Sequence, residues 1–280
     1  MKPQHYEDNQ PPEAVRHAEP VWLSQAHWKR LLCFVHIPKA AGTSFKNVLW
    51  RVYGRGFLTY HRRLSRYSPT RISAKQAQDI LAISGHLPYG FHRMFGSWLR
   101  RALYRDGIFA RREILYVSIV RDPVDRLLSY FHFVRSFPVH RLHAETKDMD
   151  CAQFFEYMAA INNHACCNSL QCAMVTGGHG ESDMAIEFAE RKFFAVASLE
   201  NINALVSALG ARLEWPEVEI AHKNQSPREG SSEADRTLIE QFCSQYCQAD
   251  ALFYRHVAAS PLGFVGALAG SGADVTAAAE

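Results

Sequence analysis

The chain has 280 residues, 31 Lys and Arg against 28 Asp and Glu, a formal charge of +3 and a hydrophobic fraction of 48%. That length and apolar content suit one sizeable α/β domain with a substantial core and room for one or two insertions, and the charge is too balanced to mark a nucleic-acid partner by itself. The seven Cys do not form the dense pattern of a disulfide scaffold.

Residues 1–25 are polar and Pro-rich and read as a flexible N-terminal arm. Their opening, MKPQHYEDNQPPE, lacks the charged-then-apolar order of a secretory signal. No early apolar run is long enough for an anchor, so the expectation is a cytoplasmic protein with no stable membrane insertion. A single domain is expected over 26–258, followed by a flexible Gly/Ala-rich tail over 259–280.

LLCFVHIPKAAGTSF, Leu31 to Phe45, organises that domain. Leu31 to Ile37 favour a buried strand, and Pro38 argues against its continuing through the hydrogen-bond ladder. A sharp turn then opens a helix over Thr43 to Tyr53, with Phe45, Val48, Leu49 and Val52 on its packing side. Gly42 permits close backbone approach, the amides of Gly42, Thr43 and Ser44 can point at an anion, and Lys39 adds a mobile positive charge. Lys39 precedes the Gly, whereas a Walker loop places its Lys after the second Gly, which weakens an ATPase or GTPase reading. The alternative is a strand ending at Pro38, a solvated Lys39 and a Ser44 that only helps to cap the helix.

Basic residues concentrate between Arg51 and Arg71 and between Arg93 and Arg112. They can line a groove for an anionic polymer or lie as solvated charge on linker surfaces. RISAKQAQDIL allows a short helix. Leu81 to Ile83 then read as a buried strand ending at Ser84 and Gly85, which puts His86 at a strand exit, where α/β sheets present functional groups. An imidazole there can accept a proton near neutral pH. Tyr89 and Phe91 either shape a substrate mouth or pack beneath the next loop.

EILYVSIVRDPVDRLLSYFHFVR repeats the strand-to-helix theme. Leu115 to Val120 form a strand, Arg121 stands at its end, and Asp122 with Pro123 start a helix that carries Asp125 and Ser129 on one face. Helices are expected over 150–160, 164–175 and 181–191, with Cys166, Cys167 and Cys172 as buried thiols rather than metal ligands. A strand over Phe193 to Ala197 leads to Glu200, which either contacts a ligand or caps the next helix, and one or two amphipathic helices close the domain. Cys243 and Cys247 lie four residues apart on one helical face and read as buried thiols as well.

HIPKAAGTS resembles the HIPKTAGTS signature of the carbohydrate-type sulfotransferases, with Ala40 in place of the usual Thr, and VRDPVDRLLSYF resembles that family's RDPVERLLSxY motif. The resemblance covers about residues 31–257 and is strongest at those two segments. It implies a single P-loop-like three-layer α/β sandwich with a central, mostly parallel sheet and flanking helices, and 3'-phosphoadenosine 5'-phosphosulfate (PAPS) as co-substrate without a metal. It further implies that Lys39, Ala41, Gly42, Thr43 and Ser44 hold the 5'-phosphosulfate while Arg121 and Ser129 hold the 3'-phosphate. Lys39 would lie beside the bridging oxygen, and the Gly-His segment would make His86 the catalytic base, with His92 as fallback. The acceptor would be a hydroxyl of a carbohydrate or glycoconjugate, possibly anionic. NSLQCAMVTGG is similar to a later family segment that would bring Asn168 or Gln171 towards the nucleotide or acceptor, although Cys172 and Ala173 stand where Thr and Arg are usual. AHKNQSPRE is similar to an Asn-x-Ser segment and either offers Lys223, Asn224 and Ser226 to the nucleotide or forms a surface turn at Ser226 and Pro227. Eukaryotic members are typically Golgi membrane proteins, so a chain without an anchor suits a bacterial member or a trimmed chain. The competing readings are a P-loop nucleotide or small-molecule kinase and a non-catalytic protein that binds anions or glycans.

Overall fold

The structure, a computed structural model, describes residues 29–60, 79–90, 112–218 and 232–270. Six strands form one sheet in the order β2-β3-β1-β4-β5-β6. They are β1 (Arg30–Val35), β2 (Phe57–Tyr60), β3 (Ala82–Gly85), β4 (Glu113–Val120), β5 (Ala195–Ser198) and β6 (Phe264–Val265). All neighbouring pairs are parallel except β5 with β6. β1 lies between β3 and β4, with Val35 opposite Gly85 on one side and Ser118 on the other. The carboxyl ends of these three strands therefore share one edge, where the chain order reverses across β1, the position at which open α/β sheets bind ligands.

The central strands are mostly apolar because both faces are covered, with Ser84 and Ser118 the buried polar side chains within β3 and β4. Leu31, Cys33 and Val35 pack with Leu170, Cys172 and Val175 of α6 (Leu170–Thr176), Ala185 and Ala189 of α7 (Ser182–Arg191), and Phe253 and Val257 of α10 (Gln248–Ala258). Leu32 and Phe34 face the other way, onto Phe45, Val48 and Leu49 of α1 (Gly42–Tyr53) and Leu205 and Leu209 of α8 (Ile202–Leu213). This alternation with period two yields the three layers. A third core joins α2 (Pro123–Ser136), α4 (Cys151–Ala160) and α9 (Glu233–Tyr246) through Leu127, Phe131, Phe154, Phe155 and Phe242. The short helices α3 (His143–Thr146), α5 (His164–Cys167) and α11 (Ala267–Gly270) complete the described residues. Among those residues no helix is long and apolar enough to cross a membrane.

Three sequence expectations change. The tail expected to be loose from 259 onward is folded as far as Gly270: Phe264 pairs with Ala197, and Leu268 is buried. Two residues between glycines carry too short a pattern to read as a strand. FLTY, read as part of a basic loop, is the edge strand β2. The helix expected over 164–175 is two helices, because Ser169 adopts a left-handed φ of 40°. That break leaves α6 with no side-chain cap of its own, and Asp250 of α10 supplies one, accepting from the N–H of Cys172 at 2.9 Å and of Gln171 at 3.2 Å. The cysteines are free thiols; Cys166, Cys172, Cys243 and Cys247 are buried as expected, whereas Cys167 is only partly buried. The N-terminal arm, the RISAKQAQDIL helix except its last three residues, and the basic stretch over 93–111 lie outside the described residues.

Candidate active site

At the end of β1 the N–H of His36 donates to the Gly85 oxygen at 3.0 Å, extending the β1–β3 pairing by one step. Lys39 and Ala41 then take left-handed φ values of 68° and 53°. Such conformations cost on the order of 1–3 kcal/mol each in non-glycine residues and cluster at functional sites. Their effect is to start α1 directly over the strand end. The N-cap is Ala41, whose methyl accepts no hydrogen bond, and the first turn carries no acidic residue. Its amides and the positive end of the helix dipole therefore suit an anion. Ala40, the irregular position in the motif, is 1% exposed and packs in the core cluster with Ile37 and Val35, so its side chain is directed away from the ligand face.

Gly42 has a second reason to be glycine. A Cβ there would lie 1.7 Å from Cδ2 and Nε2 of His36. The His36 ring, 7% exposed, fills that space, stacked on Phe34 with centroids 5.8 Å apart and tilted against His86 at 4.3 Å. His36 went unremarked in the sequence, although it is the first letter of HIPKAAGTS.

His86 follows β3 directly, and its Nδ1 lies 2.9 Å from the His36 backbone oxygen. A carbonyl only accepts, so Nδ1 carries the proton and Nε2 presents the lone pair of the neutral ring. His86 is exposed by its surface area yet surrounded by protein at close range; that crowding lowers its pKa below the ordinary His value, the His36 hydrogen bond opposes the shift, and Lys46 adds to it. Lys46, one turn into α1, is itself lowered to about 8 by burial.

Arg121 leaves the end of β4, and its Nη1 donates to the Lys39 oxygen at 3.3 Å. The Lys39 ammonium stands 4.3 Å over the ring of Phe133 on α2, and burial, then the neighbouring Arg121, lowers its pKa to about 8. Asp122 caps α2 as expected, accepting from Val124 and Asp125 N–H at 2.9 and 3.1 Å, with Pro123 in the first turn. Ser129 is buried on the same helix, and Asp125, one turn before it, pairs with Arg236 of α9 at 2.9 Å.

The structure thus brings Lys39, Gly42, His86 and Arg121 to one sheet edge, at the ends of β1, β3 and β4, with Ser129 farther along the helix that follows Arg121. Several sequence-selected residues fall elsewhere. Gln171 is fully buried and hydrogen-bonded to the Arg121 backbone, whereas Asn168 is exposed at the end of α5. The ring of Tyr89 packs against Tyr116, Phe188 and Phe193; the loop that follows it lies outside the described residues. His92, Phe91, Lys223, Asn224 and Ser226 lie outside the described residues. Phe133 and Lys46 were missed because each is read from sequence as an ordinary helix-surface residue.

A mostly parallel three-layer fold whose β1–α1 turn suits an anion, with Arg121 beside it at the end of β4, defines a class of α/β protein with an anion-binding edge where the strand order reverses. The Sulfotransferase family model matches residues 28–248, and the chain belongs to this family. Heparan sulfate 2-O-sulfotransferase 1 of Gallus gallus is 22% identical over 198 residues, covering 65% of this chain and 54% of its own. The Mus musculus protein of that name is 22% identical over 199 residues with the same coverages. The Homo sapiens protein is 25% identical over 108 residues, 38% of this chain and 29% of its own. At most 54%, about half, of the length of these curated relatives is spanned.

Proposed function

We propose that the protein transfers the sulfuryl group of PAPS to a hydroxyl of a carbohydrate or glycoconjugate, releasing adenosine 3',5'-bisphosphate (PAP). The observation that carries this reading is the meeting of three groups at one sheet edge: Lys39 at the uncapped start of α1, Arg121 hydrogen-bonded to the Lys39 oxygen, and His86 oriented by the His36 oxygen. The residues fit the donor. Amides of Gly42, Thr43 and Ser44 with Lys39 suit its 5'-phosphosulfate, and Arg121 with Ser129 suits a second phosphate at the far end of the nucleotide.

When bound, PAPS supplies an activated sulfuryl group on a phosphate leaving group. His86 Nε2 takes the proton of the acceptor hydroxyl as its oxygen forms the new bond to sulfur. The sulfur–oxygen bond to phosphate breaks, and its electron pair remains on the phosphate. Lys39, leaving Phe133, and the first-turn amides stabilise that developing charge. Arg121 and Ser129 anchor the nucleotide and so hold the sulfur in line. The names of the relatives motivate testing sulfated-polysaccharide precursors first.

Incubating the protein with radiolabelled PAPS and a panel of polysaccharide, glycolipid and small sugar acceptors, with ATP and Mg²⁺ as the parallel donor, tests this reading. Label in a carbohydrate from PAPS alone supports it. Phosphoryl transfer from ATP, or PAPS binding with no transfer to any acceptor, removes it.

A further inference from the structure

Gln171 of α6 is 0% exposed, and both ends of its amide engage one residue. Its Oε1 accepts from the Arg121 N–H at 2.9 Å and its Nε2 donates to the Arg121 oxygen at 2.8 Å. A primary amide carries donor and acceptor in one plane, so it reproduces the paired bonds of a neighbouring strand. It does so one residue beyond the end of β4, where β1 and β5 no longer flank it: the last β4 register pair is Val120 with Ser198.

Gln171 is itself held. The Gln171 N–H donates to Asp250 Oδ2 at 3.2 Å and the Cys172 N–H to Oδ1 at 2.9 Å. Asp250 and Arg126 are both fully buried, with Nη2 of Arg126 3.9 Å from Oδ2, and Arg126 Nη1 donates to the Ala165 oxygen at 3.0 Å. Arg126 belongs to α2, five residues after Arg121. The chain of contacts from Arg121 through Gln171, Asp250 and Arg126 therefore closes on the same strand-to-helix connection, pinning it from α6 and α10 at once.

We propose that Gln171, seated by Asp250, is a positioning residue for phosphate recognition: it locks the Arg121 backbone so that the guanidinium meets a nucleotide 3'-phosphate at a fixed distance from the Lys39 loop. The inference rests on the reading of Arg121 as the 3'-phosphate residue. Its structural basis is the double hydrogen bond to the one site residue that also bonds the Lys39 oxygen.

The test is the ratio of affinities for PAP and for adenosine 5'-phosphate, which lacks the 3'-phosphate, measured by calorimetry on the full chain. Wild type is expected to prefer PAP. Gln171→Leu is expected to lower that preference about tenfold, equivalent to roughly 1.4 kcal/mol, with adenosine 5'-phosphate affinity unchanged. Gln171→Glu keeps the acceptor and loses the donor when ionised, so its preference for PAP should recover as pH falls and the carboxyl protonates, which serves as the readout should Gln171→Leu fail to fold. In an Arg121→Ala background neither substitution should change the ratio further. A wild-type ratio in folded Gln171 variants, or an equal loss with and without Arg121, overturns the positioning role. A wild-type chain that does not prefer PAP removes the 3'-phosphate reading itself, and the inference falls with it.

Discussion

The Nδ1 of His86 and the backbone oxygen of His36 are 2.9 Å apart, joining the ends of two adjacent parallel strands through a side chain rather than a ladder bond. The bond selects the tautomer, and together with the tilted contact to the His36 ring it helps to aim the imidazole. Because the acceptor is backbone, the hydrogen bond itself does not depend on the His36 side chain. The same strand end starts the Lys39 turn, so the proposed base and the proposed donor loop are referenced to one piece of rigid sheet.

The pH profile follows from two groups. As the proposed base, His86 would act unprotonated, and its pKa lies below the ordinary His value, so activity should rise with pH and level off before the usual His range is passed. Lys39 acts protonated, with a pKa of about 8, so kcat/KM for PAPS should fall above that pH. In kcat the alkaline limb should move upward, since a bound phosphosulfate favours the charged ammonium. Rate measurements from pH 5 to 10 with saturating and limiting PAPS check both limbs.

Lys39→Ala removes the cation proposed to stabilise the leaving phosphate and should lower kcat by about a hundredfold to a thousandfold. Phe133→Leu removes the ring beneath the resting ammonium, a contact of roughly 0.5–1 kcal/mol. It should leave kcat within a few-fold of wild type and lower the alkaline pKa of kcat/KM only slightly, because the lost contact favoured the charged ammonium while burial, the larger cause of the Lys39 shift, remains. Steady-state kinetics of the two variants separates these outcomes.

Gly42→Ala places a methyl carbon 1.7 Å from the His36 ring and forces that ring from its place between Phe34 and His86. Overpacking of this kind costs about 1–3 kcal/mol. The variant should melt at lower temperature and bind PAP more weakly, whereas a glycine needed only for phosphate approach would cost affinity without stability. Thermal unfolding with and without PAP distinguishes the two.

Arg126→Met leaves the Asp250 carboxylate buried without its cationic neighbour, and loss of one partner of a buried pair costs about 3–5 kcal/mol. By contrast, Arg236→Ala breaks a partly exposed pair with Asp125 and should cost no more than about 1 kcal/mol. Denaturant titrations of both variants should rank them in that order.

The parallel sheet was legible because its central strands are predominantly apolar runs that end at Pro38, at Gly85 and at Arg121, each followed by a helix start or a turn. The position of His86 was legible for the same reason. What was not legible was how distant segments complete these ends. Gln171 and Asp250 reach Arg121 and α6 across sequence separations of 50 and 79 residues, and no local pattern records such a pairing. Arg126 reads from sequence as a solvated charge in an amphipathic helix; only the packing of α10 against α2 shows it to be fully buried. His36 was hidden differently, since an apolar strand followed by Pro38 draws notice to the turn and away from the residue before it.

The most direct measurement is a single turnover: enzyme loaded with radiolabelled PAPS is mixed with a carbohydrate acceptor, and label in the acceptor is followed for wild type and His86→Ala. Wild type should transfer its label, and the variant should bind PAPS with unchanged affinity while transferring about a hundredfold to ten-thousandfold more slowly. Near wild-type transfer by a folded His86→Ala protein would contradict the role of His86 as base, and retention of label on a PAPS-loaded wild-type enzyme across the acceptor panel would contradict the transferase function.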